Sequence, residues 1–135
     1  MRVVLDTNIL VSGLLSETGP PGALVSLLPE NLFVACYDAR ILAEYREVLR
    51  RPHLAIAPDK VEQLLSDLED EGEFVVGHPL PERLPDSSDE PFLEVAVAAG
   101  ADYLVTGNLR HFPSYLRHGV AVVSPRVFLD ALRRL

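Results

Sequence analysis

The chain has 135 residues, 48% hydrophobic and 24% charged, with a formal net charge of −8 at pH 7. That size and balance fit one globular domain, residues 1–135, and exclude a fibrous, disordered or low-complexity protein. No apolar run reaches the roughly 20 residues needed to span a bilayer. The chain also opens on a strand-like segment instead of a charged leader, so a cytoplasmic protein with no membrane contact is expected. The single cysteine, Cys36, can form no internal disulfide and reads as a small core residue in a reducing compartment.

In chain order, Arg2-Val3-Val4-Leu5 reads as a buried strand, and Asp6-Thr7-Asn8 follows where that strand must end. In an open parallel sheet, ligands and catalytic groups gather beyond the carboxyl ends of the strands. Asp6 falls there; the structural alternative is that it caps the next helix. Pro20 and Pro21 open a helix, and Leu32–Cys36 reads as a second strand. In the helix expected over Ala39–Arg51, about 100° per residue gathers Ile41, Leu42, Tyr45, Val48 and Leu49 into one apolar stripe. Glu47 is nearly opposite that stripe and Glu44 is on its edge, where a salt bridge to Arg40 or Arg51 is the structural alternative.

A helix over Val61–Glu71 carries many acids, and a short strand, Phe74–Val76, follows. Gly77–Ser88, holding Pro79, Pro81 and Pro85, reads as an extended connection. Asp86-Ser87-Ser88-Asp89-Glu90-Pro91 precedes an apolar helix, Glu90–Ala99. Ser87 or Ser88 can cap that helix, and the macrodipole favours acids in its first turn. Those roles do not require so many acids, and Asp89 is the third candidate. The strand Tyr103–Val105 ends in Thr106-Gly107-Asn108, much as the first ends in Asp6-Thr7-Asn8. A strand at Val120–Val123 and a helix at Val127–Leu135, introduced by Pro125, complete the pattern. Short, continuous β-branched runs alternating with helices argue an α/β fold with about five parallel strands.

Taken together, the strand ending in Asp-Thr-Asn, the mid-chain helical glutamate and the long segment Asp89–Asn108 resemble the PIN-domain family of metal-dependent ribonucleases. The resemblance covers essentially the whole chain and implies a three-layer α/β/α sandwich around a central parallel sheet. The run Thr106-Gly107-Asn108-Leu109-Arg110-His111-Phe112-Pro113 is similar to the branch of toxin components of bacterial and archaeal toxin–antitoxin pairs, related to the VapC toxins. It implies an endoribonuclease, a homodimer and, where one is encoded, a cognate antitoxin; single-stranded RNA is the expected substrate, because an open, weakly basic crevice admits it more easily than a stiff duplex. The family often places a fourth acid where this sequence has Asn108.

On this reading Asp6, Glu44 and Asp89 are the catalytic acids and metal ligands. Asn108 contributes a carbonyl oxygen or holds a water, and Thr7, Asn8 and Thr106 support the ligands. Electrostatics agrees: two carboxylates about 5 Å apart repel by about 3 kcal/mol at an effective dielectric near 20, so converging acids require protons or a cation. Oxygen-only ligands suit Mg2+ or Mn2+.

The net charge of −8 opposes RNA binding, but the charge is unevenly distributed. Arg110, Arg117, Arg126, Arg133 and Arg134 lie beyond Leu109 with His111 and His118, and Arg46, Arg50, Arg51 and His53 form a second cluster. Of these, Arg46, Arg50, Arg110 and His111 are the candidates for contacting substrate. The histidines show no zinc-ligand spacing. A haloacid-dehalogenase-type phosphatase is disfavoured because Asn8 stands where its second acid belongs and Lys60 is the only lysine. A nucleotide-binding module is disfavoured because no glycine-rich phosphate motif occurs. The remaining rival is a non-catalytic PIN-like module that binds RNA or protein.

Overall fold

The computed structural model describes residues 1–135. Five parallel strands form one sheet in the order β3-β2-β1-β4-β5: β1 Arg2–Leu5, β2 Val34–Tyr37, β3 Glu73–Phe74, β4 Tyr103–Val105 and β5 Ala121–Val123. Six α-helices connect and flank them: α1 Thr7–Leu15, α2 Pro20–Ser26, α3 Ala39–Leu49, α4 Pro58–Glu71, α5 Glu90–Ala99 and α6 Pro125–Arg133. Consecutive residues of a strand point to opposite faces, and Val3, Val4 and Leu5 are all fully buried. Both faces of β1 are therefore covered. Helix α5 packs on β1, β2 and β4, α4 on β2 and α6 on β4, giving the three-layer α/β/α architecture around one core of 30 buried residues.

Helix α5 and strand β4 have the expected bounds. The second strand starts later than expected: Asn31 turns the chain in the left-handed region at φ 57°, and Leu32 is exposed. Helix α3 ends at Leu49 instead of Arg51, because Pro52 forces Arg51 out of helical geometry. Pro58 starts α4 a turn earlier than Val61. The strand expected at Phe74–Val76 shrinks to an edge strand at Glu73–Phe74, exposed on both residues instead of covered.

Helix α1 begins directly at the end of β1. Gly13 lets α2 approach it closely, since a Cβ there would lie 2.4 Å from Val25 and 2.8 Å from the Pro21 carbonyl. Because every strand runs the same way, all five carboxyl ends open on one edge of the sheet. The chain leaves β1 toward β2 on one side and returns to β4 on the other. The crevice between β1 and β4 is thus the topological switch point of the sheet.

Candidate active site

Asp6 leaves β1 at that crevice. It occupies the N-cap position of α1 with extended backbone, yet its side chain makes no capping bond. The carboxylate instead accepts a 2.7 Å hydrogen bond from the Thr106 hydroxyl at the end of β4. Asp6 is buried, and burial raises its pKa; the Thr106 bond and the backbone N–H groups of Thr7 and Asn8 oppose the rise without cancelling it. The same Thr106 oxygen accepts from the Asn108 N–H at 3.0 Å, and the Gly107 N–H reaches Asn8 Oδ1 at 3.4 Å. The two matching turns are therefore knitted together.

Glu44 comes from α3, whose buried stripe is Ile41, Tyr45 and Leu49. It is half-buried on the edge of that stripe, as the helical spacing predicts. No salt bridge explains it: Arg40 pairs with Asp38 and Glu94, and Arg51 with Glu47. Its carboxylate accepts the Thr7 hydroxyl. Tyr45, fully buried one residue on, donates to the Leu5 carbonyl at 2.5 Å and fixes α3 against the end of β1. Burial, with Asp6 and Glu44 nearby, holds the Tyr45 hydroxyl well above its usual pKa, so it stays neutral.

Asp89 completes a short 3-10 turn, Ser87–Asp89, just before α5. Neither serine caps α5; Asp86 accepts the Ser88 N–H and hydroxyl, and Asp89 itself stands at the cap position without a capping bond. Its Oδ2 is buried with no hydrogen-bond partner. His111 Nδ1 lies 3.1 Å from that oxygen, an ion-pair distance when the imidazole is protonated. Burial, then the Asp6 charge, with smaller contributions from Asp86 and Glu44, raise Asp89 to about 6 against the pull of His111.

The three acids therefore feel one another, but no three carboxylate, imidazole or thiol groups converge closely enough to hold a metal ion. Of the other two acids, Asp6 acts more strongly than Glu44 on Asp89, and Glu44 accepts the Thr7 hydroxyl. The pair of Asp6 and Asp89 fits a hard divalent cation in its chemistry. All its donors are oxygens, one of them is buried without a hydrogen bond, and its mutual repulsion is what a cation relieves.

Asn108 is exposed at the mouth of the crevice, and its side chain makes no hydrogen bond. Arg110 and His111 are exposed on the 3-10 turn that follows. Arg46 and Arg50 lie elsewhere, paired with Glu69 and Glu62 of α4 at 2.6 and 2.5 Å. Beside the crevice, Asn8, Ser12, Gly107, Asn108, Ser124 and Arg126 line an open cleft of about 610 Å3. Another, of about 470 Å3, lies between α1, α2 and α4, away from the acids.

Sequence reasoning missed a buried ionic network. Asp38 caps α3 by accepting the Ile41 N–H, and Arg40 bridges Asp38 to Glu94 at 2.7 Å each. The signal was available, because Glu94 interrupts an otherwise apolar helix and a buried carboxylate requires a partner.

A family model described as PIN domain matches residues 2–110, which span every acid of the crevice and the Thr106–Asn108 turn. No curated protein matches the chain. PIN domains are generally nucleases and typically use divalent metals. With four-fifths of its length matched and its acids at the carboxyl edge of a parallel sheet, the chain belongs to the PIN-domain family.

Proposed function

We propose that the chain is a Mg2+- or Mn2+-dependent endoribonuclease that cleaves single-stranded RNA, the toxin of a toxin–antitoxin pair. The observation that carries this reading is the buried Oδ2 of Asp89, which has no hydrogen bond and stands beside the charge of Asp6. Asp6 and Asp89 would hold the ion, with Glu44 and the Asn108 carbonyl at its margin. When bound, a divalent ion polarises the scissile phosphate and makes water a better nucleophile at neutral pH.

The chain's own residues set the geometry. The Thr106 hydroxyl fixes the Asp6 carboxylate, the Thr7 hydroxyl holds Glu44, and Tyr45 keeps α3 at the end of β1. His111 partly neutralises Asp89 and, being exposed, offers an imidazole to RNA at the mouth. Arg110 contributes a phosphate contact on the same turn; Arg46 and Arg50, paired with α4, are the weaker candidates. A chain of net charge −8 binds bulk RNA weakly, which suits an open crevice acting on flexible single strands. A cognate antitoxin would place an arginine of an extended peptide against the acids. The proposal includes a homodimer working in the cytoplasm; no helix is long and apolar enough to cross a membrane.

The absence of a three-acid cluster and the neutral, exposed Asn108 favour a second reading, a non-catalytic RNA- or protein-binding PIN domain. A nuclease assay on single-stranded RNA with manganese separates the two. Cleavage by wild type and none by Asp6→Asn supports the enzyme; equal inactivity supports the binding module.

A further inference from the structure

The cleft beside the acids has a chemistry of its own. It shares a wall with the crevice, because Asn8 and Asn108 flank the Asp6 and Thr106 pair and the Asn108 N–H bonds the Thr106 hydroxyl. Its far wall is the start of α6, held in place because the Thr106 N–H pairs with the Val123 carbonyl and Ser124 caps the helix through the Val127 N–H. At about 610 Å3 it falls within the size range of small-molecule sites.

No carboxylate lines it, although acids outnumber bases 20 to 12 in the chain. Its one charged residue, Arg126, is exposed and forms no ion pair; Asp130, one turn along α6, faces Arg133 instead, at 3.9 Å. An unpaired guanidinium with a fork of donors matches a phosphate. Asn8 lends its Oδ1 to the Gly107 N–H and keeps its amide donors, which match an acceptor on the edge of an unstacked base. Pro20 and Pro21 supply an apolar floor.

We infer that this cleft is a nucleotide subsite, seating the residue next to the scissile phosphate of single-stranded RNA, with Arg126 on its phosphate and the Asn8 amide against its base. The inference rests on the nuclease reading for what lies in the crevice, but the contact itself is tested without turnover. Arg126 lies beyond the residues that the family model matches, while Asn8 and Asn108 lie within them, so the subsite joins the matched part of the chain to its C-terminal part.

The test is equilibrium binding of a short fluorescent single-stranded RNA to the Asp6→Asn protein without metal, across a salt series. In that background Arg126→Ala should weaken binding about tenfold at low salt and reduce the salt slope by about one phosphate contact. Arg126→Lys should recover part of the loss. Arg134→Ala, which removes an exposed arginine at the far end of α6, should leave binding unchanged, and all variants should melt alike. In the parent, Arg126→Ala should raise KM and spare kcat. Equal losses for Arg126→Ala and Arg134→Ala, no loss for either, or no RNA binding by the Asp6→Asn protein would overturn the subsite. Binding through Arg126 without cleavage by the parent would keep the subsite and sink the nuclease reading. Cleavage indifferent to Arg126 would do the reverse.

Discussion

The Thr106 hydroxyl at the end of β4 donates to the Asp6 carboxylate at the end of β1 across 2.7 Å, joining residues 100 positions apart. Thr106 is fully buried, so the bond sets the carboxylate's orientation and favours its ionised form. Thr106→Val keeps the shape and removes the donor. RNA cleavage and metal affinity should fall about tenfold, the lower end for supporting contacts at metal sites, and Thr106→Ser should restore most of both. Kinetics with titrated Mn2+ check this; an unchanged Thr106→Val would mean that Asp6 needs no orienting.

Asp6→Asn should reduce cleavage at least a hundredfold, a loss beyond that of supporting contacts alone. Without metal the fold should survive, or gain slightly, because a buried charge that repels Asp89 is gone. Thermal melts with and without Mn2+ test this. If Mn2+ stabilises both proteins equally, the ion does not reside at Asp6.

The titration of Asp89 gives a pH signature. Its folded pKa of about 6 lies above the ordinary 3.8, so the native state holds this proton more tightly than the unfolded chain does. Its contribution is therefore neutral below about pH 4, becomes increasingly unfavourable between about pH 4 and 6, and stays so above. In metal-free protein, Asp89→Asn should remove that loss. Its stability advantage over wild type should grow across the same interval and level off at about 1–2 kcal/mol, below the full shift because relaxation around a buried charge softens its penalty. Denaturant melts at a series of pH values read it directly, and a pH-independent difference would sink the assignment.

Asn108→Asp adds a charge where the side chain is free and exposed. Metal should bind more tightly and cleavage at limiting Mg2+ should rise. Unchanged metal affinity would confine Asn108 to shaping the turn and leave the carboxylates as the whole acidic set.

Arg40 is the counter-ion of two buried carboxylates, Asp38 and Glu94. Arg40→Ala should cost about 2–3 kcal/mol of unfolding free energy, somewhat less than a fully buried pair because the guanidinium is half exposed. Glu94→Gln with Arg40 intact should cost less. Chemical denaturation compares them, and a neutral Arg40→Ala would show that water satisfies both acids.

Strands β1 and β4 were legible because a short β-branched run followed by a polar turn leaves few alternatives. Helix α5 was legible because its apolar residues run from Pro91 to Gly100. Helix α1 gave little signal: Thr7–Leu15 is apolar around most of its circumference, so its helical period is weak. Asp6 and Asp89 were readable at a strand end and a helix start, and Glu44 by its place on the edge of the α3 stripe, but their partners were not. Thr7 reaches Glu44 across 37 positions, a juxtaposition that only the packing of α1 against α3 creates. The pairing of Arg46 and Arg50 with α4 was equally hidden, since charges separated by a turn and a 3-10 segment show no period.

The pairing of β1 with β4 bears on when the crevice comes into being. Closing a loop of that length costs entropy that later contacts must offset, so such strand pairs form late in folding. During synthesis the first strand and its aspartate emerge roughly a hundred residues before the threonine that orients them. A nascent chain still short of residue 106 has half a crevice. Until Thr106 is available to it, the Asp6 carboxylate lacks the donor that orients it, so the crevice gains its full order only after β4 has joined the sheet.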